Sequence, residues 1–260
     1  MTDKTETFLA FAQEIANESR ALLVAAAEEA PRVDLKQDAS FVTATDRAVE
    51  ARLRERINAA FPDHGIMGEE YGSERLDAEF VWVLDPIDGT AAWVAGIPVY
   101  GTLISLAHGG KPLLGVIDLP ATGERFTGIS GEGAWHNGKP IRCRKGTALA
   151  DAYMTSSNPR FIPDADRAAF ERLDNAVQFT QYGGSCYSYA CLARGRTDLA
   201  VDAGFDAYDL FAPTAIIEGA GGVVADWHGG PLDLRWKGCV VAAGDQALLE
   251  SALTALAVRG

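Results

Sequence analysis

Two pairs of acidic residues in the first third of the chain are suited to metal-assisted chemistry: Glu69 with Glu70, and Asp85 with Asp88. Pro86 fixes the turn between the two aspartates. Carboxylate oxygens are the hard ligands that Mg²⁺ prefers, in an octahedral shell that retains several waters. A lone DxxDG pentapeptide is most often an Asx turn, but the buried strand before it and the glutamates upstream favour a magnesium site.

Gly89 and Thr90 directly follow the second aspartate and are suited to binding a phosphate. A glycine lets the backbone approach a ligand closely. The same two residues can open a short helix, whose first N–H groups have no partner within the helix. We therefore predict that a phosphate oxygen binds at this point of the chain.

A further acid, Asp209, stands where a later helix is predicted to begin. The common role of such a residue is an N-cap or a first-turn acid. That helix ends in the glycine-rich segment 218–223, which allows close packing and a sharp exit into a strand. A helix that is capped at its start and closely packed at its end would hold Asp209 in a fixed position, as a metal ligand requires.

Hydrophobic periodicity predicts the elements that must position these acids. One amphipathic helix is predicted over residues 1–30 and a second over residues 45–61, where Glu50 and Arg54 are interpreted as charges on a solvated face. The continuous apolar run over residues 80–84 predicts a buried strand that delivers the first aspartate to its end.

The remaining pattern divides the chain into two halves. Strand-like runs over residues 100–107, 113–119 and 124–129 predict an antiparallel meander. After residue 145 strands and helices alternate: strands over 150–156, 199–202, 223–227 and 240–243, and helices over 165–175, 184–194, 210–219 and 246–258. We therefore expect one domain over residues 1–260, with an N-terminal α+β lobe over 1–145, a C-terminal α/β lobe over 146–260, and a cleft between them.

Composition bounds the partners and the location of the protein. The 260 residues include 23 Lys and Arg against 36 Asp and Glu, a net charge of -13, and 48% are hydrophobic, as is typical of a folded domain. The acidic balance argues against nucleic-acid and anionic-membrane partners. No apolar run approaches the ~20 residues needed to cross a bilayer, and the first residues lack the apolar core of a signal peptide, so we expect a cytoplasmic protein.

The four cysteines and four histidines show no spacing typical of zinc ligands or of a disulfide scaffold. Zinc hydrolase chemistry and a cysteine–histidine nucleophile are therefore disfavoured. If the chain is an enzyme, its carboxylates must carry the chemistry.

Three motifs, in this order, resemble the signatures of the inositol monophosphatase superfamily. They are Gly68 to Glu70, Asp85 to Thr90, and Tyr208-Asp209 followed by Glu218 to Gly222. The resemblance spans nearly the whole chain, from Lys36 to the C-terminal lobe. It implies a layered αβαβα sandwich of the inositol monophosphatase and fructose-1,6-bisphosphatase type, a homodimer, and hydrolysis of a phosphate monoester with two to three Mg²⁺ ions.

The resemblance also implies a role for individual residues. The implied metal ligands are Glu69, Asp85, the backbone carbonyl of Ile87, Asp88 and Asp209, with Asp85 shared between two ions. The implied catalytic residues are Glu69, Thr90 and Asp46, of which Glu69 and Thr90 would orient the attacking water. The implied phosphate-binding residues are Gly89 and Thr90. The implied substrate-binding residues are Asp88, Ser185, Asp202 and Asp209. Glu70 and Lys36 would help to position the metal ligands without binding the metals themselves.

Within the superfamily, residues 61–66 and 226–232 look like those of bacterial histidinol-phosphate phosphatases. That branch usually carries an acid at the position of Ser185, to meet the substrate amine, whereas serine is closer to the inositol phosphatase pattern. Asp202 remains as an acid that would face the substrate. The resemblance thus favours L-histidinol phosphate. Inositol 1-phosphate, a nucleotide phosphate of the NADP or 3′-phosphoadenosine type, and a metal-binding regulatory or structural protein without activity are the alternatives.

Overall fold

The structure is a computed structural model that describes residues 3–28, 33–35 and 41–257. The helices in these residues are α1 (Asp3–Ala26), α2 (Ala44–Ala60), α3 (Thr90–Ala95), α4 (Asp164–Asp174), α5 (Ser185–Ala193), α6 (Ala207–Gly219) and α7 (Gln246–Leu256). Strands β1 (Val33–Leu35) and β2 (Phe41–Thr43) form a small antiparallel pair.

A larger sheet follows in the chain. Its strands are β3 (Gly65–Gly68), β4 (Gly72–Glu74), β5 (Phe80–Asp88), β6 (Gly101–His108), β7 (Lys111–Leu119), β8 (Glu124–Ile129), β9 (Gly133–His136) and β10 (Lys139–Pro140). Their order in space is β10-β9-β8-β7-β6-β5-β3-β4. From β5 to β10 each strand pairs antiparallel with the next, which confirms the predicted meander. Strand β3 runs parallel to β5, and β4 forms the edge.

A second, five-stranded sheet follows. Its strands are β11 (Tyr153–Ser156), β12 (Phe179–Tyr182), β13 (Leu199–Asp206), β14 (Val223–Asp226) and β15 (Lys237–Ala243), in the order β12-β11-β13-β15-β14. β11 starts later than predicted because residues 149–151 form a 3₁₀ turn, and β12 was not predicted. The polar sequence of β12, at the sheet edge, lacks the apolar run that marks the buried strands.

The elements stack in five layers. Helices α1 and α2 cover the outer face of the large sheet, against Trp82 and Leu84 of β5. Helices α5 and α6 fill the space between the two sheets, and Val81 and Val83 of β5 face α6. Helices α4 and α7 cover the far face of the small sheet. The αβαβα arrangement that the resemblance implies is therefore confirmed.

Helix α6 lies unusually close to the large sheet. Gly115 of β7 and Gly128 of β8 stand opposite each other in the ladder. A Cβ atom at Gly115 would lie 2.4 Å from the carbonyl oxygen of Ala212, and one at Gly128 would lie 2.4 Å from the Cα atom of Ile216. The two glycines thus form a flat patch on which the backbone of α6 rests.

The prediction that Glu50 and Arg54 lie on a solvated face of α2 is wrong. The Glu50 side chain is fully buried, and that of Arg54 is 11% exposed. Their face of the helix packs against the β3–β4 hairpin, which the apolar pattern of α2 alone does not reveal. The helix also begins earlier than predicted, with Thr43 rather than Thr45 as its N-cap.

Candidate active site

A β-bulge in β5 brings Asp85 and Asp88 to one face of the large sheet. In the β5–β6 ladder Asp85 pairs with Leu103, and Asp88 pairs with Gly101, so β5 carries one extra residue between them. Side chains alternate along a regular strand, and residues three apart would point to opposite faces. Pro86 has no N–H to donate to the ladder, so it fits at such an irregularity. The bulge restores both aspartates to the inner face.

Asp209 reaches the same place from the first turn of α6. Its Oδ2 accepts a hydrogen bond of 2.7 Å from the backbone N–H of Asp206, the N-cap residue. Asp209 is thus the N3 member of a capping box, a variant of the first-turn role predicted for it. This bond fixes the carboxylate relative to the helix.

Oxygens of Asp85, Asp88 and Asp209 lie within 4.8 Å of one another. Burial raises the pKa of Asp85 well above its usual value, and the carboxylates of Glu69, Asp88 and Asp209 raise it further. Burial likewise raises the pKa of Asp209. For Asp88 burial raises the pKa to about 6, against the lowering effect of a hydrogen bond from the Cys186 amide. Several like charges held together out of water favour a bound cation.

Glu69 joins this cluster from the turn between β3 and β4. Its backbone N–H donates to the carbonyl oxygen of Leu84 at 3.2 Å, and its side chain hydrogen-bonds Asp85. Glu70 follows it in the same turn, where its backbone N–H donates to Glu50. Of the predicted acidic ligands, Asp85, Asp88 and Asp209 therefore converge, and Glu69 is hydrogen-bonded to one of them.

Thr90 lies at the start of α3, next to the cluster. Its hydroxyl is 3.0 Å from the carbonyl oxygen of Ile87 and 3.5 Å from Oδ1 of Asp46. The other oxygen of Asp46, Oδ2, accepts hydrogen bonds from the backbone N–H and the hydroxyl of Thr43, which hold it at the start of α2. Before Thr90, Gly89 adopts a positive φ of 80°, a conformation that favours glycine.

Helix α5 touches the cluster from the other sheet's side. The backbone N–H of Cys186 donates to Oδ2 of Asp88 at 2.5 Å. Ser185 precedes it with a φ of 46°, and its hydroxyl oxygen would lie 2.5 Å from a Cβ atom built on Gly89. Ser185 therefore adjoins the predicted phosphate loop.

Asp202 lies behind Asp88 and raises its pKa. Its side chain is buried, and Oδ1 accepts hydrogen bonds from the backbone N–H and hydroxyl of Ser157, both at 2.6 Å. Its Oδ2 accepts one from the hydroxyl of Tyr189 at 2.8 Å. The structure therefore shows Asp202 as a buried, hydrogen-bonded charge rather than an open acid.

Some residues of the site were not singled out from the sequence. The Cys186 amide, Tyr189 and Ser157 lie far from the acidic motifs in the sequence, and no residue type marks a backbone N–H as a ligand. Glu50 was noted but assigned to the surface. Lys36, the predicted support for the ligands, lies outside the described residues.

The donor set fits a hard divalent cation. Asp85 Oδ1 is buried and, among the described residues, has no hydrogen-bond partner, which is costly unless an ion binds there. The carbonyl of Ile87, although it accepts from Thr90, has a second lone pair. Asp85, Asp88, Asp209 and Glu69 would hold such an ion through carboxylate oxygens, the ligand type that Mg²⁺ prefers.

Comparisons with known proteins show the family of the chain. The model of the inositol monophosphatase family matches residues 4–259. A chloroplastic bifunctional phosphatase of Arabidopsis thaliana, IMPL2, is 39% identical over 85% of this chain and 66% of its own length. A histidinol-phosphatase of Chlorobaculum parvum is 33% identical over 80% of each chain. The structure of an inositol monophosphatase from Zymomonas mobilis has a TM-score of 0.90 and 36% identity over 98% of this chain and 99% of that one.

The chain therefore belongs to the inositol monophosphatase family, a family of metal-dependent phosphatases. The fold, the order of the motifs and the acidic cluster all agree with this membership. None of the helices in the described residues is long and apolar enough to cross a membrane.

Proposed function

We propose that the chain hydrolyses a small phosphate monoester with the help of Mg²⁺ held by Asp85, Asp88, Asp209 and Glu69. The observation that carries the proposal is the convergence of three carboxylates within 4.8 Å, one of them with a buried and unpartnered oxygen. Bound cations would neutralise the phosphate, lower the pKa of a water and stabilise the leaving alkoxide.

The residues of the chain orient and deprotonate the attacking water in this proposal. The Thr90 hydroxyl can donate a hydrogen bond to the carbonyl of Ile87 or to Asp46, and its oxygen would accept one from that water. For proton transfer the hydroxyl would donate to Asp46. Asp46, buried and anchored by Thr43, is placed to receive the proton that passes through Thr90. Glu69 orients the same water from the β3–β4 turn. The amides of Gly89 and Thr90 bind phosphate oxygens.

The proposed substrate is L-histidinol phosphate, whose ammonium and imidazole suit an acidic pocket. Asp202 adds a charge behind the cluster, whereas the charge of Asp206, beside Asp209, is offset by the exposed Lys237 at 2.6 Å. Because Asp202 is already hydrogen-bonded, it would attract the ammonium through its field rather than by direct contact. The histidinol-phosphatase at 33% identity supports this choice.

Ser185 favours an inositol phosphate as the second candidate. Its neutral hydroxyl, beside Gly89, suits a polyol better than an ammonium. The similarity to the Zymomonas mobilis inositol monophosphatase supports this alternative. A nucleotide phosphate remains a third choice. The homodimer and the cytoplasmic location stay predictions.

The test is phosphate release by the purified protein with Mg²⁺ and with EDTA. The substrates are L-histidinol phosphate, its N-acetyl derivative, which lacks the ammonium, myo-inositol 1-phosphate and NADP⁺. We expect a kcat/KM for L-histidinol phosphate at least tenfold above the others, or about 1.4 kcal/mol of transition-state preference. Equal rates for the acetylated compound would contradict recognition of the ammonium, and a lead for inositol phosphate would favour Ser185 as the decisive residue.

An Asp88→Asn variant separates an enzyme from a binding protein. We expect it to lose both turnover and cation binding, because it removes one charge of the cluster. The absence of EDTA-sensitive turnover in the unmodified chain, on every substrate, would contradict the phosphatase proposal and favour a regulatory or structural role.

A further inference from the structure

We infer that Glu50, paired with Arg54, is a positioning residue for the cation site, because it holds the turn that carries Glu69. This inference rests on the proposed function in so far as Glu69 serves the site. It concerns the two residues that the sequence alone assigned to a solvated face.

The turn in question is short and lies at the edge of the large sheet. Strands β3 and β4 pair Gly68 with Gly72, so residues 69–71 form a three-residue hairpin turn. Strand β4 is the edge strand, and in the described part of the chain no further strand supports the hairpin on that side. A short hairpin at an edge is held weakly by its own ladder. The position of the turn that carries Glu69 therefore depends in part on contacts from outside the sheet.

Glu50 supplies these contacts from α2. Its Oε2 accepts a hydrogen bond from the backbone N–H of Glu70 at 2.7 Å, and its Oε1 accepts one from that of Tyr71 at 3.2 Å. The remaining N–H of the turn, that of Glu69, donates to Leu84 of β5. All three backbone donors of the turn are thus fixed, one by β5 and two by a single carboxylate.

Arg54 offsets the cost of burying the Glu50 carboxylate and also contacts strand β4. A charge taken out of water costs several kcal/mol unless it is paired and hydrogen-bonded. The Nε atom of Arg54 lies 2.8 Å from Oε1 of Glu50, and its Nη1 lies 2.8 Å from Glu74 of β4. Its Nη2 donates to the carbonyl of Gly72. The ion pair therefore holds the turn and strand β4 of the hairpin.

Gly68 provides the space for this arrangement. A Cβ atom at Gly68 would lie 2.0 Å from Oε1 of Glu50 and 2.9 Å from Nη2 of Arg54. Its φ is not positive, so the glycine is required here by the close approach of the carboxylate and not by the backbone conformation. Gly68, directly before Glu69 and Glu70, is thus needed for Glu50 and Arg54 to reach the turn.

The test measures cation binding directly, with Mn²⁺ as the probe and the loss of the free-ion EPR signal as the readout. Glu50→Gln keeps the size of the side chain but removes the charge that two amides and Arg54 share. We expect about tenfold weaker Mn²⁺ binding, equal to about 1.4 kcal/mol. We also expect a parallel rise in the Mg²⁺ concentration needed for half-maximal phosphate release, with kcat largely restored at saturating Mg²⁺.

The matched control is Asp198→Asn. Asp198 is also fully buried and paired with an arginine, Arg144 at 2.5 Å, but it lies directly before β13 of the small sheet and accepts a hydrogen bond from the backbone N–H of Tyr153. We expect this variant to lose thermal stability as Glu50→Gln does and to bind Mn²⁺ as the unmodified chain does. Equal weakening of Mn²⁺ binding in both variants would overturn the inference, since the effect would then follow stability alone.

Gly68→Ala approaches the same contact from the other side. It leaves Glu50 charged but displaces it from the turn, so we expect weaker Mn²⁺ binding again. Unchanged Mn²⁺ binding in a folded Glu50→Gln variant would overturn the inference. If that variant does not fold, unchanged Mn²⁺ binding in Gly68→Ala would overturn it. In either case the phosphatase proposal would stand. Weaker Mn²⁺ binding in a protein that releases no phosphate from any substrate would instead support the inference and contradict the proposed function.

Discussion

Backbone amides orient the carboxylates of the site, residue by residue. The amide of Cys186 bonds Asp88, and that of Asp206 bonds Asp209. An amide is a neutral donor, so it fixes an acid in place without cancelling the charge that a cation needs. Arginine partners, by contrast, are found on Glu50 and Asp198, which do not belong to the acidic cluster.

The first residue-scale prediction concerns Asp209→Asn. The amide side chain still offers one oxygen to the Asp206 amide, so α6 should keep its cap, while the charge facing Asp85 and Asp88 is lost. We expect at least a tenfold rise in the Mg²⁺ concentration needed for half-maximal phosphate release, and little change in thermal stability. Asp245→Asn, at the N-cap of α7, is the matched control and should leave activity unchanged. Equal activity in the two variants would contradict a role for Asp209 in binding the cation.

The second residue-scale prediction concerns Thr43→Ala. The change removes an N-cap side chain from α2, which costs about 1 kcal/mol of stability. It also removes a hydroxyl that bonds Asp46 at 2.5 Å, so kcat should fall as well. Asp245→Ala removes the cap of α7 and should lower the melting temperature similarly without lowering kcat. A kcat unchanged in Thr43→Ala would argue against Asp46 as the proton acceptor.

At the scale of elements, short irregularities place the site residues. The bulge in β5 turns two aspartates to one face, and the three-residue turn after β3 places Glu69 beside them. Two opposed glycines in β7 and β8 let α6 approach the large sheet. Each of these features involves one to three residues within or between otherwise regular elements.

The element-scale prediction concerns Gly128→Ala. The added Cβ would meet the Cα atom of Ile216, which belongs to a helix backbone and cannot rotate away. Overpacking of this kind costs about 1–3 kcal/mol, and more where backbone must shift, so we expect a large drop in melting temperature. Gly133→Ala in the same sheet is the control, because its Cβ would meet the ring of Trp135, a side chain that can move. Similar losses in both variants would contradict the importance of the close helix approach.

The sequence predicts the regular elements better than these irregularities. Apolar runs and turn residues predicted the meander, the buried strand before Asp85 and helices α4 to α7, because burial on a face leaves a periodic signal. The extension of β5 through Pro86 to Asp88 was not predicted, since proline usually ends a strand. The burial of Glu50 was missed for a similar reason. The backbone amides that hydrogen-bond its buried carboxylate belong to Glu70 and Tyr71, and no local sequence pattern connects these residues to α2.

At the scale of the whole molecule, α6 joins the two sheets. Its residues pack on the large sheet through Leu210 and Ile216 and share a core with Ala200 and Val240 of the small sheet. Its first turn carries Asp209 into the acidic cluster. The acidic cluster therefore takes ligands from the large sheet and from the helix that both sheets share.

The whole-molecule prediction is that Mg²⁺ stabilises the fold and that this effect grows with pH. A ligand at one hundred times its dissociation constant adds about 2.7 kcal/mol to the free energy of unfolding. In the metal-free protein burial raises the pKa of Asp88 to about 6. At a pH below the ordinary aspartate pKa this shift stabilises the folded state, and the stabilisation is lost as the pH rises to about 6. The cation opposes that loss, so its stabilising effect should increase between pH 5 and pH 7.

The measurement is the melting temperature at pH 5, 6 and 7, with Mg²⁺ and with EDTA. The Asp88→Asn variant serves as control and should show a smaller response to Mg²⁺ at each pH. A response to Mg²⁺ that is equal at pH 5 and pH 7 would contradict competition between protons and the cation at this cluster.

The position of α6 in the chain has a consequence for synthesis on the ribosome. Helices α1 and α2 emerge before the large sheet and are available to cover its outer face, whereas α6 begins only at Ala207, well after the last strand of that sheet. The inner face, with Val83 and Phe126, therefore stays uncovered in the growing chain until α5 and then α6 follow. Exposed apolar surface in a partly made protein invites aggregation. The inner face of the large sheet is thus the surface on which a chaperone would act during translation.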